Sequence, residues 1–261
     1  MTDLYCVLHK DTSYSLEKTA DFLAVERCID RADAAAAFKK TPGFLLENAE
    51  LGKASAFNFR ASAFGFETLL LSQKELKSPP PASALLKIEF KTDGFYYFSN
   101  ATKEHIPFEA VKAVTACAFA VEMPPKDTSV TEAGLLDSLR ARYFPFALPF
   151  GEKYSQAPVT PPPPSPVRET VFLADILTGG PIPLRLTLNC DEHDYSSLGE
   201  KKTLSSFENF RLLLGELSSR AFGAARNPFL QALLGKKALN QLKYPSTASY
   251  EKELVWINTV R

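Results

Sequence analysis

The chain has 261 residues, 45% of them hydrophobic and 23% charged, the proportions of a soluble globular protein rather than a disordered or fibrous one. Thirty basic residues balance thirty acidic ones, so the basic excess that a nucleic-acid-binding chain needs is missing and no nucleic acid is expected. The length suits one large domain or two ordinary ones.

The opening MTDLYCVLHKDTSYS lacks the basic start and apolar core of a signal peptide, and no apolar run approaches the roughly 18 residues of a membrane span. The four cysteines, Cys6, Cys28, Cys117 and Cys190, are widely spaced among apolar or mixed neighbours and read as reduced thiols. A cytoplasmic location is the expectation, without a membrane span or peripheral membrane contact.

Residues 1–76 alternate short apolar runs with helical patterns. LYCVLH (4–9) reads as a strand. Ser15 then opens SLEKTADFLA, with Leu16, Ala20, Leu23 and Ala24 on one helical face. Asp30 precedes the alanine-rich RADAAAAFKK, a strong helix former halted at Thr41-Pro42-Gly43. FLLEN (44–48) is a second strand. Residues 50–64 form a third helix with Ala54, Phe57, Ala61 and Phe64 aligned and Gly65 as its C-terminal stop, and FETLLLS closes with a strand. The order is β-α-α-β-α-β. Residues 77–84, with three prolines, read as a semi-rigid linker.

Past the linker, LLKIEF (85–90), the turn Asp93-Gly94 and FYYFSN (95–100) predict a hairpin. A strand over His105–Phe108, a turn at Glu109 and a strand from Val111 to Val121 make four antiparallel strands. RETVFLADIL and IPLRLTLNC predict two more, separated by Gly179-Gly180-Pro181, and KKTLS a last short one. Ser205 and Glu208 have capping-box spacing ahead of a helix carrying Phe207, Phe210, Leu214, Leu217 and Ala221 inward. Asn227-Pro228 reads as an N-cap followed by proline at the first helical position. Residues 249–260 predict a terminal helix with Tyr250, Leu254 and Ile257 inward, docked by the lone Trp256.

Between these halves, residues 124–167 form an insertion. Four consecutive prolines, Pro161–Pro164, allow neither a helix nor an inner strand. Ahead of them, Ser129–Glu132 is a capping box opening EAGLLDSLRARYFPFALPF. Its Leu135, Leu136, Leu139, Tyr143, Phe144, Phe146 and Phe150 are too apolar for a plain linker. They read as a segment that binds a partner's groove or its own domain.

Two resemblances follow. LYCVLH, the helical pair, TPGFLLENAELGKASAF and FGFETLLL together resemble the C-terminal domain of ribosomal protein L7/L12 and the adaptor domains sharing its fold, which implies a protein-binding module. KIEFKTDGFYYFSN…EHIPFEAVKAV and HDYSSLG…SSFENFRLLLGELSSRA are similar to bacterial pleckstrin-homology-like domains. That likeness implies an antiparallel β barrel or sandwich over 85–123 and 168–222, capped by a helix; the C-terminal helices read from the residues follow over 223–261. The family's headgroup-gripping cations in the first hairpin would correspond to Lys87, Lys91 and Lys103. The fold class expected is thus α+β.

Chemistry-bearing patterns are sparse. Cys190-Asp191-Glu192-His193-Asp194 mixes metal-ligand types, but contiguous residues point different ways and no second ligand pair completes a site, so a polar turn is expected and no metal. Glu251/Glu253 and Asp191/Asp194 read as surface carboxylates. Neither catalytic residues nor a cofactor are assigned. The function expected is a non-catalytic scaffold or adaptor that binds protein partners, among them further copies of itself. The alternatives are a small-ligand or lipid-headgroup binder at Lys87, Lys91 and Lys103, then a metal-dependent enzyme at Asp191–Asp194.

Overall fold

Strand β1 (Tyr5–His9) lies at the centre of a three-stranded sheet ordered β2-β1-β3, paired antiparallel on both sides with β2 (Phe44–Ala49) and β3 (Thr68–Ser72). The structure, a computed structural model, describes residues 3–99, 102–123 and 167–261. Three helices accompany this sheet: α1 (Leu16–Arg27), α2 (Arg31–Lys40) and α3 (Leu51–Ala63). The expected β-α-α-β-α-β order is present. Its punctuation is local: the Ser15 side chain accepts from Lys18 N at the start of α1, and Gly43 and Gly65 supply positive φ after α2 and α3. Val7, Phe22, Leu23, Phe38, Leu45 and Phe57 share one core, so the sheet buries one face against its own helices. Cys6 and Leu8, of opposite parity on β1, are equally buried, so the other face is covered too.

The rest of the β structure divides into two sheets rather than a closed barrel, correcting the expectation of a barrel. β5 (Lys87–Phe90), β6 (Gly94–Phe98) and β7 (Lys103–Pro107) form one antiparallel sheet. A single turn of 3-10 helix, Phe108–Ala110, then redirects the chain. β8 (Val111–Met123) therefore does not continue that sheet as a fourth strand. It joins β9 (Val167–Thr178) and β10 (Arg185–Asn189) in a second sheet, ordered β11-β8-β9-β10-β4. Both outer strands are parallel additions that no local pattern announces. β4 (Ala82–Ala84), inside the expected linker, pairs with β10, and β11 (Ala225–Arg226) pairs with β8. Residues 195–201 form 3-10 turns, and no strand forms over KKTLS.

Helix α4 (Ser206–Arg220) is capped by Ser205, whose hydroxyl accepts from Glu208 N, and it buries Phe210, Leu213, Leu214 and Leu217. Asn227 caps α5 (Pro228–Leu234) as expected, accepting from Leu230 N. Helix α6 (Thr247–Val260) is buried along Tyr250, Glu253, Leu254, Trp256 and Ile257. Residues 1–120 and 170–261 form one compact unit. No helix among the described residues is long and apolar enough to cross a membrane.

Candidate functional site

Helix α6 joins the N-terminal sheet to the β8–β10 sheet, and the polar side chains best placed for chemistry gather along it. On one side Trp256 is fully buried, and its indole N–H donates to the His9 carbonyl at 2.6 Å. The fit is tight. A Cβ on Gly43 would sit 2.0 Å from the Trp256 ring, and Gly43 has φ +83°, so only glycine suits the turn. The His9 ring stacks on Tyr14 at 5.3 Å and meets Thr19 Oγ1 at 3.1 Å. Burial lowers the His9 pKa to about 4, so it is neutral. Lys77 N donates to Thr259 Oγ1, and Asn258 donates to the Lys77 and Ser78 carbonyls, pinning the proline-rich stretch to the same helix.

The adjoining part of the same inward face of α6 is polar. Glu253 is fully buried and accepts from Tyr244 Oη at 2.5 Å and from Asn227 Nδ2 at 2.8 Å, while its Oε1 has no partner. Its two hydrogen-bond donors are neutral, and burial pushes this carboxyl up to about 7. Asn227 does a strand's work with its side chain. Just past the parallel rungs of β11, Oδ1 accepts from Ala116 N at 3.1 Å and Nδ2 donates to Ala116 O at 2.8 Å. Farther along α6, Tyr250 and Thr115 share a hydroxyl hydrogen bond at 2.7 Å. Arg185 bridges buried Asp175, at 2.8 Å, and Glu251, at 2.6 Å. Burial works against the Arg185 charge, but hydrogen bonds to Glu251 and Asp175 outweigh it and hold the guanidinium more basic than usual.

Glu253 overturns the reading of Glu251/Glu253 as surface carboxylates: Glu251 reaches solvent and Glu253 does not. The signal was present. Residue 253 lies three after Tyr250 and four before Ile257, on the inward face. A neutral carboxyl with a near-neutral pKa is suited to proton transfer. Here it has no exposed atom, so a substrate would reach it only if the helix moved.

The three lysines proposed for ligand binding lie on one sheet face. Cross-strand register sets Lys87 opposite Phe98, Glu89 opposite Tyr96, and Phe98 opposite Lys103. Lys87 and Lys103 both pair with Glu89, at 3.0 and 3.5 Å, and Lys103 lies over Tyr96 and Phe98. Two of the three cations are thereby engaged within the sheet. Lys91 lies at the far end, beside an open depression shared with His105, Asp93 and Arg220. There Gly94 admits the His105 ring, since a Cβ would stand 2.7 Å from its Nε2.

The Cys190–Asp194 segment is a turn whose side chains diverge. Cys190 and His193 point inward while Asp191, Glu192 and Asp194 are exposed. His193 Nδ1 meets the Leu85 carbonyl at 3.0 Å, which places its proton there, and burial lowers its pKa. Burial raises the Cys190 thiol to about 11. No cluster of three or more metal-ligating side chains occurs among the described residues. Leu135, Leu136, Leu139, Tyr143, Phe144, Phe146 and Phe150 lie outside the described residues. Comparison with protein-family models, with curated proteins and with solved structures found no match.

Proposed function

We propose that this protein is a non-catalytic adaptor that binds a protein partner through the apolar insertion segment 129–150, with free strand edges such as β3 as secondary contacts. The observation that supports this reading is the pairing of the two strands that flank the insertion in sequence. β8 ends at Met123 and β9 begins at Val167, yet the two are neighbours. The sequence between these two strands is rich in Leu, Phe and Tyr. In this reading residues 1–76 are an L7/L12-like binding module and residues 85–123 with 168–222 a pleckstrin-homology-like platform, acting in the cytoplasm. The buried seam around α6 is structural, since its hydrogen bonds close on themselves apart from Glu253 Oε1.

The test is replacement of residues 129–150 by a short Gly/Ser loop. Partner recovery in a pull-down should fall to background while the thermal unfolding transition stays in place. Undiminished recovery with the shortened protein would sink the proposal.

A further inference from the structure

Residues 200–261 carry ten Lys and Arg against five Glu, an excess that neither side of α6 uses up. Part of it collects along an open groove between α4, α5 and the 3-10 turns of Tyr195–Lys201, lined by Lys201, Arg211, Arg226, Gly215 and Ser218. Glu216 is the acidic residue of the lining, shared between Lys201 at 3.5 Å and Arg220 at 2.6 Å, and Arg211 is paired with Glu208 on the preceding turn of α4, so the four cations Lys201, Arg211, Arg220 and Arg226 face two carboxylates. Positive charge therefore prevails in the groove.

Three details of the groove point to an absent anion. The Arg226 guanidinium is fixed by one hydrogen bond, Nη2 to the Ser218 carbonyl at 2.7 Å, and makes no ion pair among the described residues. A guanidinium carries five N–H donors, so most of its fork remains to be used. Beside it, Ser218 is 2% exposed and its Oγ has no partner, a costly arrangement unless something completes it. Gly215 lies within α4, where glycine weakens a helix, yet a Cβ there would meet only Leu234 at an ordinary 3.7 Å. Internal packing does not require this glycine. Its missing side chain leaves the groove open.

We propose that this groove binds a phosphoryl dianion, with the Arg226 fork donating to its oxygens, the ion-paired Lys201 and Arg211 adding charge along the walls, and the Ser218 hydroxyl, whose Oγ is covered in this structure, turning to donate once the anion is seated. A phosphoryl group offers three acceptor oxygens and nearly two charges, which suits this donor set better than a carboxylate does. The carbonyl end of α4 would repel an anion, but Arg226 already covers the Ser218 carbonyl.

The experiment titrates inorganic phosphate into the full-length protein at about pH 7.5, where the dianion prevails, at constant ionic strength while following backbone amide shifts. Saturable shifts centred on residues 211–226 are expected, with acetate binding about tenfold more weakly. Arg226→Gln should weaken phosphate binding by about tenfold. Gly215→Met keeps every charge and should weaken it similarly by filling the groove, and either variant suffices if the other fails to fold. Shifts that never saturate, acetate binding as tight as phosphate, or binding untouched in the folded variants would overturn the proposal.

Discussion

Toward the N-terminal sheet, α6 presents Trp256, which packs on Gly43 and reaches the His9 carbonyl; toward the β8–β10 sheet it presents Tyr250, Glu251 and Glu253, each tied to a polar partner. The first contact depends on shape, since it leaves no space beside the indole ring. The second depends on charge state, because Arg185 and Glu253 answer burial in opposite ways. Arg185 stays charged between two carboxylates, whereas Glu253, given only dipoles, is pushed toward neutrality. One helix thus holds two sheets by two mechanisms that should fail under different perturbations.

Removing the shape contact should have the largest effect. Trp256→Ala is expected to cost about 3–5 kcal/mol in chemical denaturation, because the side chain is wholly buried and its cavity cannot collapse onto a rigid sheet. Gly43→Ala should probe the same contact from the other side and broaden or lower the thermal transition. Little loss in either would mean that α6 is not anchored at this point. Asp175→Ala should cost about 3 kcal/mol by leaving Arg185 buried with Glu251 as its remaining partner.

A comparably large effect should appear only with pH. Glu253 binds its proton more tightly folded, at about 7, than the ordinary carboxyl value of 4.5, so its contribution is full below 4.5 and lost as pH rises toward 7. His9 does the reverse: folded at about 4 against an ordinary 6.5, it favours folding above 6.5 and loses that contribution as pH falls toward 4. Between 4.5 and 6.5 the two slopes oppose each other, so their sum in this window should be nearly flat. Glu253→Gln should unmask the His9 slope, with stability rising through the window, and should gain about 3 kcal/mol at pH 8 over the parent. Matching pH profiles for the two proteins would show that Glu253 carries no such linkage. The smallest effect is a control away from both contacts: Ser205→Ala should cost about 1 kcal/mol through the lost cap of α4, with the pH profile unmoved.

The elements of the N-terminal half were legible because each is specified within a few residues. Ser15, Thr41-Pro42-Gly43 and Gly65 mark where helices begin and end, and β1 to β3 are short apolar runs. The hairpin at Asp93-Gly94 and the caps at Ser205 and Asn227 were legible for the same reason. Where the code was not local, it was silent. Ala82-Ser83-Ala84 has no strand signature and becomes one because β10, about a hundred residues later, offers an open edge. The division of the β strands into two sheets turns on β8 choosing β9 as its neighbour over β7, and no pattern within β8 states that choice.

The same boundary runs through the candidate sites. Sequence alone placed Lys87 and Lys103 on alternating strands, but register decided that Glu89 stands between them and engages both. It likewise placed Tyr250, Leu254 and Ile257 on the inward face of α6, and the residue type of Glu253 argued against its belonging there. Helical geometry carries every residue on a face inward, whatever its charge, and Tyr244 and Asn227, from other elements, made a buried carboxyl acceptable. Sequence determined periodicities, caps and turns, which depend on neighbours along the chain. Only the tertiary structure decided sheet partners, ion pairs and protonation, because these depend on groups brought together from distant positions.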